Sequence, residues 1–517
     1  MRLSAVLGTA LLRFALFPPV SFAEAAYFFL VPVLLVDWTK ARLRAVFAWG
    51  WLGGFLFWIA SIVWLRHVTV AGTLGLAAIL GLFFALWLTG WSRWFQGRRG
   101  WGPVLGAAAL WVLLEWARGW IFWGFPWNPL SVSQWNRPAV LTIVGATGGW
   151  GLSFLLVCIN VALARWIREP YVGWRSKGFL PFARSVPLPL VVPLGILLLS
   201  SAWYFAASFG REESAPVRIG FVQPYATMKW DEAAATENLR ELWAVSRSVA
   251  ADSPDVILWP ESATPFPVIG NEGMRAAVEE LARETGVPLL MGNMAFHPGE
   301  NVYENGVFRV DPRTGLDPVH YAKRHLVPFG EFIPFRRYLP FLEKVVPIGL
   351  DCRPGGAAVV FPLADDSTGE RVAPLVCYED VFPSLSRDGV EAGADWLFVA
   401  TNNVWYGEEA GAYQHAAHAV LRAVETRRPV LRCGNAGWSG WIDEWGRVRR
   451  MVADRDGSIY FRGGEVVEAS RDLRFDGYRT PYVRFGDWFV AACALVLALV
   501  LATAKPWRGV PDKDRSG

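Results

Sequence analysis

Eight apolar stretches, each a candidate membrane span, constrain the fold of this chain more than any other feature. A helix that crosses a bilayer needs about 20 mostly apolar residues. The composition agrees, because 53% of the residues are hydrophobic and only 19% are charged, whereas about a quarter are charged in an ordinary soluble domain. The candidates are residues 3–20, 24–38, 44–66, 72–92, 102–122, 138–166, 187–207 and 484–505. The first stretch has an alternative interpretation as a signal peptide, since Phe22-Ala23-Glu24-Ala25 resembles a cleavage site.

The orientation of these segments is predicted from the basic residues in the loops, because short cytoplasmic loops are rich in Lys and Arg. Basic residues follow the second, fourth, sixth and eighth segments, whereas the short loops between them carry few. They are Lys40, Arg42, Arg44, Arg93, Arg98, Arg99, Arg165, Arg168, Arg175, Lys177, Arg184, Lys505, Arg508, Lys513 and Arg515. Both termini are therefore predicted to be cytoplasmic. The chain is expected to be a multi-pass membrane protein whose region between segments seven and eight faces outward. In a Gram-negative cell this means the inner membrane, with that region in the periplasm.

Three regions follow from this pattern: a membrane domain at 1–210 with about seven helices, a soluble domain at 216–482 and a C-terminal membrane helix at 484–505. Within the soluble domain, short apolar runs alternate with helical patterns, which predicts an α/β fold. Strands are predicted at 217–223, 256–260, 288–292, 302–310, 373–377, 396–401 and 429–432, and helices at 231–250, 273–285 and 412–426. A net charge of +4 without basic, aromatic-rich runs gives no indication of nucleic-acid binding.

Two charged residues lie inside the fifth apolar segment. Glu115 and Arg118 are three residues apart and would share one face of a helix. Charge at membrane depth is costly and is usually paired or functional. Two interpretations stay open: an ion pair that locks helices together, and a contact to a lipid headgroup.

Three motifs with chemically active residues stand at or near the ends of predicted strands. They are Trp259-Pro260-Glu261, Tyr321-Ala-Lys323-Arg-His325-Leu-Val-Pro328-Phe-Gly330-Glu331 and Leu375-Val-Cys377-Tyr378-Glu379-Asp380. Loops at strand ends are where catalytic residues of α/β domains concentrate. Taken singly, a strand that ends in Pro-Glu is common, and a lone cysteine at a strand end is more often a core residue.

Together, the motifs fit thiol chemistry. A thiol with a pKa of about 8.5 is only a few per cent ionised at neutral pH, so Cys377 needs a base, which Glu261 can supply. Lys323 and the backbone N–H of Tyr378 can stabilise the oxyanion that forms when the sulfur attacks a carbonyl. The chain contains no Gly-x-Ser-x-Gly motif. His415 and His418 share a predicted helix but lack a recognisable set of further metal ligands.

The order Glu, Lys, Cys in these motifs resembles the nitrilase superfamily. The eight apolar segments, split seven plus one around such a domain, resemble more narrowly the apolipoprotein N-acyltransferases. The resemblance covers nearly the whole chain, and it implies an α-β-β-α sandwich for the soluble domain. It also implies that Glu261 is the general base, Lys323 the oxyanion stabiliser and Cys377 the nucleophile. Glu331 would balance Lys323, and Glu379 would support the nucleophile.

The same resemblance implies the reaction. Members of that family move the sn-1 acyl chain of a phospholipid, typically phosphatidylethanolamine, through a cysteine thioester to the α-amino group of the diacylglyceryl-cysteine that begins an apolipoprotein. Ping-pong kinetics are expected, with no metal or other cofactor, and the membrane domain favours a monomer.

Four further positions bear on this resemblance. It suggests that Trp230 and Trp405 line a substrate pocket, although ordinary core packing is an equal alternative. Asn305 either hydrogen-bonds near the site or occupies a hairpin turn. Asn403 stands where the family usually has aspartate, which puts in doubt a charge-dependent role at that position.

Two other functions remain as alternatives. A membrane-anchored nitrilase-type amidase, acting on another amide or ester, would use the same three residues. A non-catalytic receptor or scaffold would be expected to have lost at least one of them, and the chain keeps all three.

Overall fold

The computed structural model describes residues 1–177, 186–226, 232–338, 340–344, 350–364 and 369–503. It divides into two compact units, one formed by Met1–Ala207 with Phe485–Gly517 and the other by Ser208–Arg484. We call them the membrane unit and the catalytic unit.

Helices form the membrane unit. Their bounds are α1 Arg2–Ala15, α2 Val31–Leu35, α3 Leu43–Ser61, α4 Val70–Gly90, α5 Gly102–Arg118, α6 Pro138–Leu141, α7 Val144–Thr147, α8 Gly149–Lys177, α9 Leu188–Ser208 and α15 Trp488–Thr503. The short helix α14 Pro481–Phe485 lies in the catalytic unit except for its last residue. Among the described residues, four helical stretches are long and apolar enough to cross a membrane: Leu43–Ser61, Val70–Phe95, Gly149–Arg168 and Leu188–Ser208. The chain is thus built as a membrane protein.

Two of the predicted apolar segments are broken. The second, at 24–38, is a 3₁₀ turn at Ala23–Tyr27 followed by the five-residue α2, with Pro32 in its first turn. Proline favours a helix start and cannot continue a helix that comes before it. The sixth, at 138–166, becomes α6, α7 and α8, and Gly148 between the last two has a φ of +64° that ends the helical path.

Small residues let α3 and α4 approach closely. A Cβ atom built on Gly54 would lie 2.7 Å from the carbonyl oxygen of Gly81, so only glycine fits there. Such contacts drive helix association where both lipid and helix are apolar. A buried amide also joins distant segments, because the Asn160 side chain accepts from the Leu30 N–H and donates to the Ala26 carbonyl.

Two sheets form the centre of the catalytic unit. Their strands are β1 Val217–Gln223, β2 Val256–Trp259, β3 Leu289–His297, β4 Val302–Asp311, β5 Gly315–Leu316, β6 Tyr321–Ala322, β7 Phe361–Pro362, β8 Arg371–Val376, β9 Trp396–Asn402, β10 Val430–Asn435, β11 Ser439–Ile442, β12 Val448–Val452 and β13 Gly463–Ala469. The first sheet runs β13-β1-β2-β3-β4-β5, with β6 also paired to β4, and the second runs β12-β11-β10-β9-β8-β7. The seven predicted strands are all present, whereas β5, β6, β7, β11, β12 and β13 were not predicted.

Four helices cover the sheets: α10 Glu232–Ala251, α11 Glu272–Thr285, α12 Pro383–Glu391 and α13 Ala410–Thr426. Side chains alternate along the strands. Leu258 enters a core shared by both sheets, whereas its neighbour Ile257 enters a core shared with α10 and α11. Helices α12 and α13 contact the second sheet. The layers therefore run helix, sheet, sheet, helix, as the resemblance implied.

Candidate active site

The structure brings Glu261, Lys323 and Cys377 together. Glu261 lies just beyond β2, Lys323 directly follows β6, and Cys377 directly follows β8. All three are buried, with exposed fractions of 7%, 1% and 7%. The Lys323 Nζ atom lies 3.5 Å from Glu261 Oε1, and both charges act on the Cys377 thiol. Strands β2 and β8 belong to different sheets, so packing of the two sheets is what assembles the cluster.

Lys323 is held by two carboxylates. Its Nζ atom lies 2.9 Å from Glu331 Oε2, closer than to Glu261. Burial alone would lower the pKa of the Lys323 ammonium, but the charges of Glu331 and Glu261 outweigh it and place that pKa well above its ordinary value. Lys323 is therefore a permanent cation, suited to stabilising an anion rather than to accepting a proton.

Asn305 joins the same two carboxylates. It lies within β4, and its Nδ2 group donates to Glu261 Oε1 at 2.8 Å and to Glu331 Oε1 at 2.7 Å. Its backbone carbonyl accepts from the Lys323 N–H at 2.7 Å. Of the two roles expected for Asn305, the contact near the site is confirmed and the hairpin turn is wrong, because β4 continues for six more residues.

Cys377 occupies a sharp strand-to-turn junction. Its φ is +51°, a left-handed conformation that is uncommon for a residue with a side chain, and a 3₁₀ turn begins at the same residue. Its thiol contacts the Thr401 hydroxyl and the Asn402 N–H. Burial raises the pKa of the Cys377 thiol to about 12, the Glu261 charge adds to the rise and Lys323 opposes it. The thiol is neutral at pH 7, so attack requires a base.

Glu379 ties the nucleophile turn to the segment that carries Lys323. Its carboxylate, which is fully buried, accepts four hydrogen bonds of 2.6–3.1 Å. The donors are the Tyr321 hydroxyl and the N–H groups of Arg324, His325 and Val376. These four bonds connect the Cys377 turn to the segment around Lys323, and the supporting role of Glu379 stays a prediction.

Three further residues were predicted to belong to the site: Tyr378, Trp405 and Trp230. The ring of Tyr378 packs edge-on against Phe382, with the centroids 5.1 Å apart, so its side chain belongs to the core. Trp405 lies in a short 3₁₀ turn and is 47% exposed, which contradicts a core role. Trp230 lies outside the described residues.

A buried polar cluster behind Cys377 was not predicted. His415 Nε2 lies 3.1 Å from the Cys377 carbonyl oxygen and 2.8 Å from Asp380 Oδ1, and Asp380 also pairs with Arg432. In the sequence, His415 was considered only as a metal ligand and lacked a recognisable set of partners. No group of three side chains suited to a metal ion occurs among the described residues, and His415 contacts the backbone of Cys377.

Family models match both parts of the chain. The model described as the apolipoprotein N-acyltransferase N-terminal domain matches residues 9–162, and the carbon-nitrogen hydrolase model matches residues 218–463. The second match includes Glu261, Lys323 and Cys377.

Curated relatives match almost end to end. The chain is 33% identical to apolipoprotein N-acyltransferase from Geobacter metallireducens, over 97% of this chain and 95% of that protein. It is 32% identical to the protein of the same name from Azotobacter vinelandii, over 90% of this chain and 88% of that one. Among solved structures, an amidase from Nesterenkonia sp. is similar over 55% of this chain and 99% of that chain, at 17% identity and a TM-score of 0.39.

Proposed function

This chain belongs to the apolipoprotein N-acyltransferase family, and we propose that it carries out the family's reaction with Cys377 as nucleophile, Glu261 as base and Lys323 as oxyanion stabiliser. The observation that supports these roles best is the buried Glu261–Lys323–Glu331 cluster beside a strained, neutral cysteine. A permanent cation, a carboxylate and a thiol in one enclosed place are what acyl transfer through a thioester requires.

In the first half-reaction, an ester carbonyl of a phospholipid meets the Cys377 sulfur. The thiol proton passes to Glu261 as the S–C bond forms, and the negative charge on the carbonyl oxygen faces the Lys323 ammonium and the Tyr378 N–H. The C–O bond then breaks, and Glu261 returns the proton to the leaving lysophospholipid oxygen. A thioester remains on Cys377.

In the second half-reaction, the α-amino group of a diacylglyceryl-cysteine attacks the thioester. Glu261 accepts a proton from the nitrogen as the C–N bond forms, and it returns that proton to sulfur as the C–S bond breaks. The products are an N-acylated lipoprotein and free Cys377. The thioester keeps the acyl group activated, so the cycle needs no nucleotide, metal or other cofactor, and alternating substrates give ping-pong kinetics.

Several finer properties are part of the proposal. Phosphatidylethanolamine is the proposed donor, and the enzyme acts as a monomer. The predicted eight segments, with the second and sixth built from shorter helices, lie in the bacterial inner membrane, and residues 216–482 lie in the periplasm. The alternation of basic and non-basic loops supports this orientation.

Intact-mass analysis tests the proposed nucleophile and donor. Full-length protein in detergent, given phosphatidylethanolamine with an isotopically labelled sn-1 chain, is expected to gain one labelled acyl group that neutral hydroxylamine removes. Cys377→Ala should gain none, while Cys433→Ala, which changes another buried thiol of the same unit, should still be acylated. A diacylglyceryl peptide should then accept the label on its amine.

Each negative result would overturn a different part of the proposal. A wild-type protein that never gains the chain would overturn the phospholipid reaction. Ammonia release from simple amides by that same preparation would favour the amidase alternative. Labelling that survives Cys377→Ala would remove Cys377 from the mechanism.

A further inference from the structure

The His415 side chain contacts the nucleophile through its backbone rather than its sulfur. Nε2 lies 3.1 Å from the carbonyl oxygen of Cys377, and this oxygen belongs to the peptide bond between Cys377 and Tyr378. The N–H of that same peptide is the Tyr378 N–H, the oxyanion donor in the proposed mechanism. Because a trans peptide is planar, its C=O and N–H point in opposite directions. Fixing the carbonyl therefore fixes where the N–H points.

The surroundings of His415 determine which nitrogen carries the proton. Nε2 faces two acceptors, the Cys377 carbonyl and Asp380 Oδ1, whereas Nδ1 lies 3.1 Å from the Asn403 amide nitrogen, a donor. Burial lowers the pKa of the His415 imidazole, opposed by Asp380 and aided by Arg432, so the ring is neutral at pH 7. A neutral ring with hydrogen on Nε2 donates to the Cys377 carbonyl and lets Nδ1 accept from the Asn403 amide.

We propose, on the basis of the function above, that His415 is a positioning residue for acyl transfer: it holds the Cys377–Tyr378 peptide so that the Tyr378 N–H meets the oxyanion. Two features explain why this peptide needs the hydrogen bond from His415. The peptide follows a residue with a φ of +51°, where the backbone is under strain. The hydrogen bond to the carbonyl also polarises the peptide and strengthens its N–H as a donor.

Asp380 and Asn403 keep the ring in place from either side. Asp380 is fully buried and lies in the same 3₁₀ turn as Cys377, while His415 lies in α13. Asparagine at 403, in place of the family's usual aspartate, presents a donor to Nδ1. It thereby favours the neutral ring with the Nε2 hydrogen that this position requires.

The test compares two reactions of Cys377, only one of which forms an oxyanion. Acylation by a p-nitrophenyl ester passes through a tetrahedral anion, whereas alkylation by iodoacetamide displaces iodide at carbon without one. In full-length His415→Ala, we expect the acylation rate per active site to fall by about 10²–10³-fold, the loss typical of one oxyanion donor. The alkylation rate of Cys377 should change by less than about threefold, since the sulfur keeps its own contacts.

Two further variants separate positioning from folding. His415→Gln places an amide N–H near the original Nε2 position and should recover most of the lost acylation rate. His418→Gln, which alters another buried histidine of the same helix, should change thermal stability but leave the acylation rate per active site unaltered.

Other outcomes overturn the inference. If acylation and alkylation by His415→Ala fall together, His415 acts on the thiol or on folding. If His415→Ala acylates normally, the peptide needs no such hold. The p-nitrophenyl ester keeps this test independent of the proposed substrates, because a wild-type enzyme inactive toward phospholipid but active toward this ester would refute only the proposed function.

Discussion

Three buried cations of this chain, two in the catalytic unit and one in the membrane unit, lie in different surroundings. In the catalytic unit, Lys323 lies 2.9 Å from a Glu331 oxygen, and Arg432 pairs with Asp380. In the membrane unit, Arg13 is 7% exposed and its guanidinium lies 4.0 Å from the ring centre of Phe57 and 5.1 Å from that of Trp111. Among the described residues, the Arg13 guanidinium has no hydrogen bond or salt bridge within 4 Å, although the charge of Glu115 acts on it.

This difference follows from the free energy of burying a cation beside each kind of neighbour. A buried ion pair requires both charges to be desolvated, which costs free energy. That cost is offset by function where the anion takes part in the proposed chemistry, as with Glu261 beside Lys323. An aromatic face attracts a cation without introducing a second charge. The membrane unit thus holds Arg13 on rings, and its neighbour Glu115 accepts a hydrogen bond from the Leu130 N–H at 2.7 Å, fixing a loop. That contact was not among the roles expected for Glu115.

Removing Lys323 should have the largest effect. In Lys323→Met, the Glu261 and Glu331 charges remain buried without their cation, and loss of half of a buried pair costs about 3–5 kcal/mol. Acyl transfer should fall by about 10³-fold, because an oxyanion donor is lost as well. Thioester formation and thermal inactivation in detergent measure both effects.

The matched control for Lys323→Met is Arg247→Met, which removes an exposed cation paired with the exposed Glu284 in the same unit. Exposed pairs contribute little to stability, so this variant should remain active and nearly as stable as wild type. Equal losses in the two variants would mean that burial does not distinguish these ion pairs.

Asp380→Asn should destabilise the catalytic unit by about 3–5 kcal/mol at pH 7, because Arg432 then lacks its anion. Burial would raise the pKa of Asp380, but His415 and Arg432 outweigh burial and lower that pKa to about 2. A carboxyl group with a lowered pKa stabilises the fold above its unfolded value of 3.8 and loses this contribution as the pH falls toward 2.

Melting the wild-type protein and Asp380→Asn from pH 7 to pH 2.5 tests this dependence. The gap in stability should shrink below about pH 4, as the wild-type advantage disappears near the ordinary carboxyl pKa. A constant gap over the whole range would show that the ionisation of Asp380 contributes nothing.

The sequence predicts different features in the catalytic unit and in the membrane unit. The positions of Glu261 and Cys377 follow from local apolar runs, because these residues end or follow the predicted strands β2 and β8. Lys323 follows β6, which was not predicted, and only its surrounding motif singled it out. The roles of Asn305 and His415 depend on contacts between elements far apart in the chain. Strand pairing and helix packing determine such contacts, and neither is visible in local periodicity.

In the membrane unit, hydropathy located the apolar segments but not their interruptions. A run of apolar residues has the same hydropathy whether it forms one helix or several. The breaks at Pro32 and Gly148 are therefore visible only in the backbone conformation of the structure. Hydropathy likewise does not record which rings surround the Arg13 guanidinium.

Arg13→Met should have a smaller effect than Lys323→Met or Asp380→Asn. Glu115, whose charge acts on Arg13, keeps its hydrogen bond from the Leu130 N–H, and the lost attraction to the rings is about 2 kcal/mol at most. Thermal inactivation in detergent and acyl transfer should therefore stay close to wild type. A loss of 3–5 kcal/mol, the size found for a broken buried ion pair, would show that Arg13 has an anionic partner after all.

The smallest expected effect is the coupling between Arg13 and the ring beneath it. Phe57→Leu alone removes core volume, since Phe57 is 1% exposed, so its own cost says little about the cation. In a double-mutant cycle with Arg13→Met, the volume term cancels and the remaining interaction energy should be about 1 kcal/mol. The same cycle for Asp380→Asn and Arg432→Met should give a coupling several times larger, because each single substitution strands a buried charge while the double substitution does not. Equal couplings in the two cycles would mean that aromatic faces and carboxylates hold buried cations equally well in this chain.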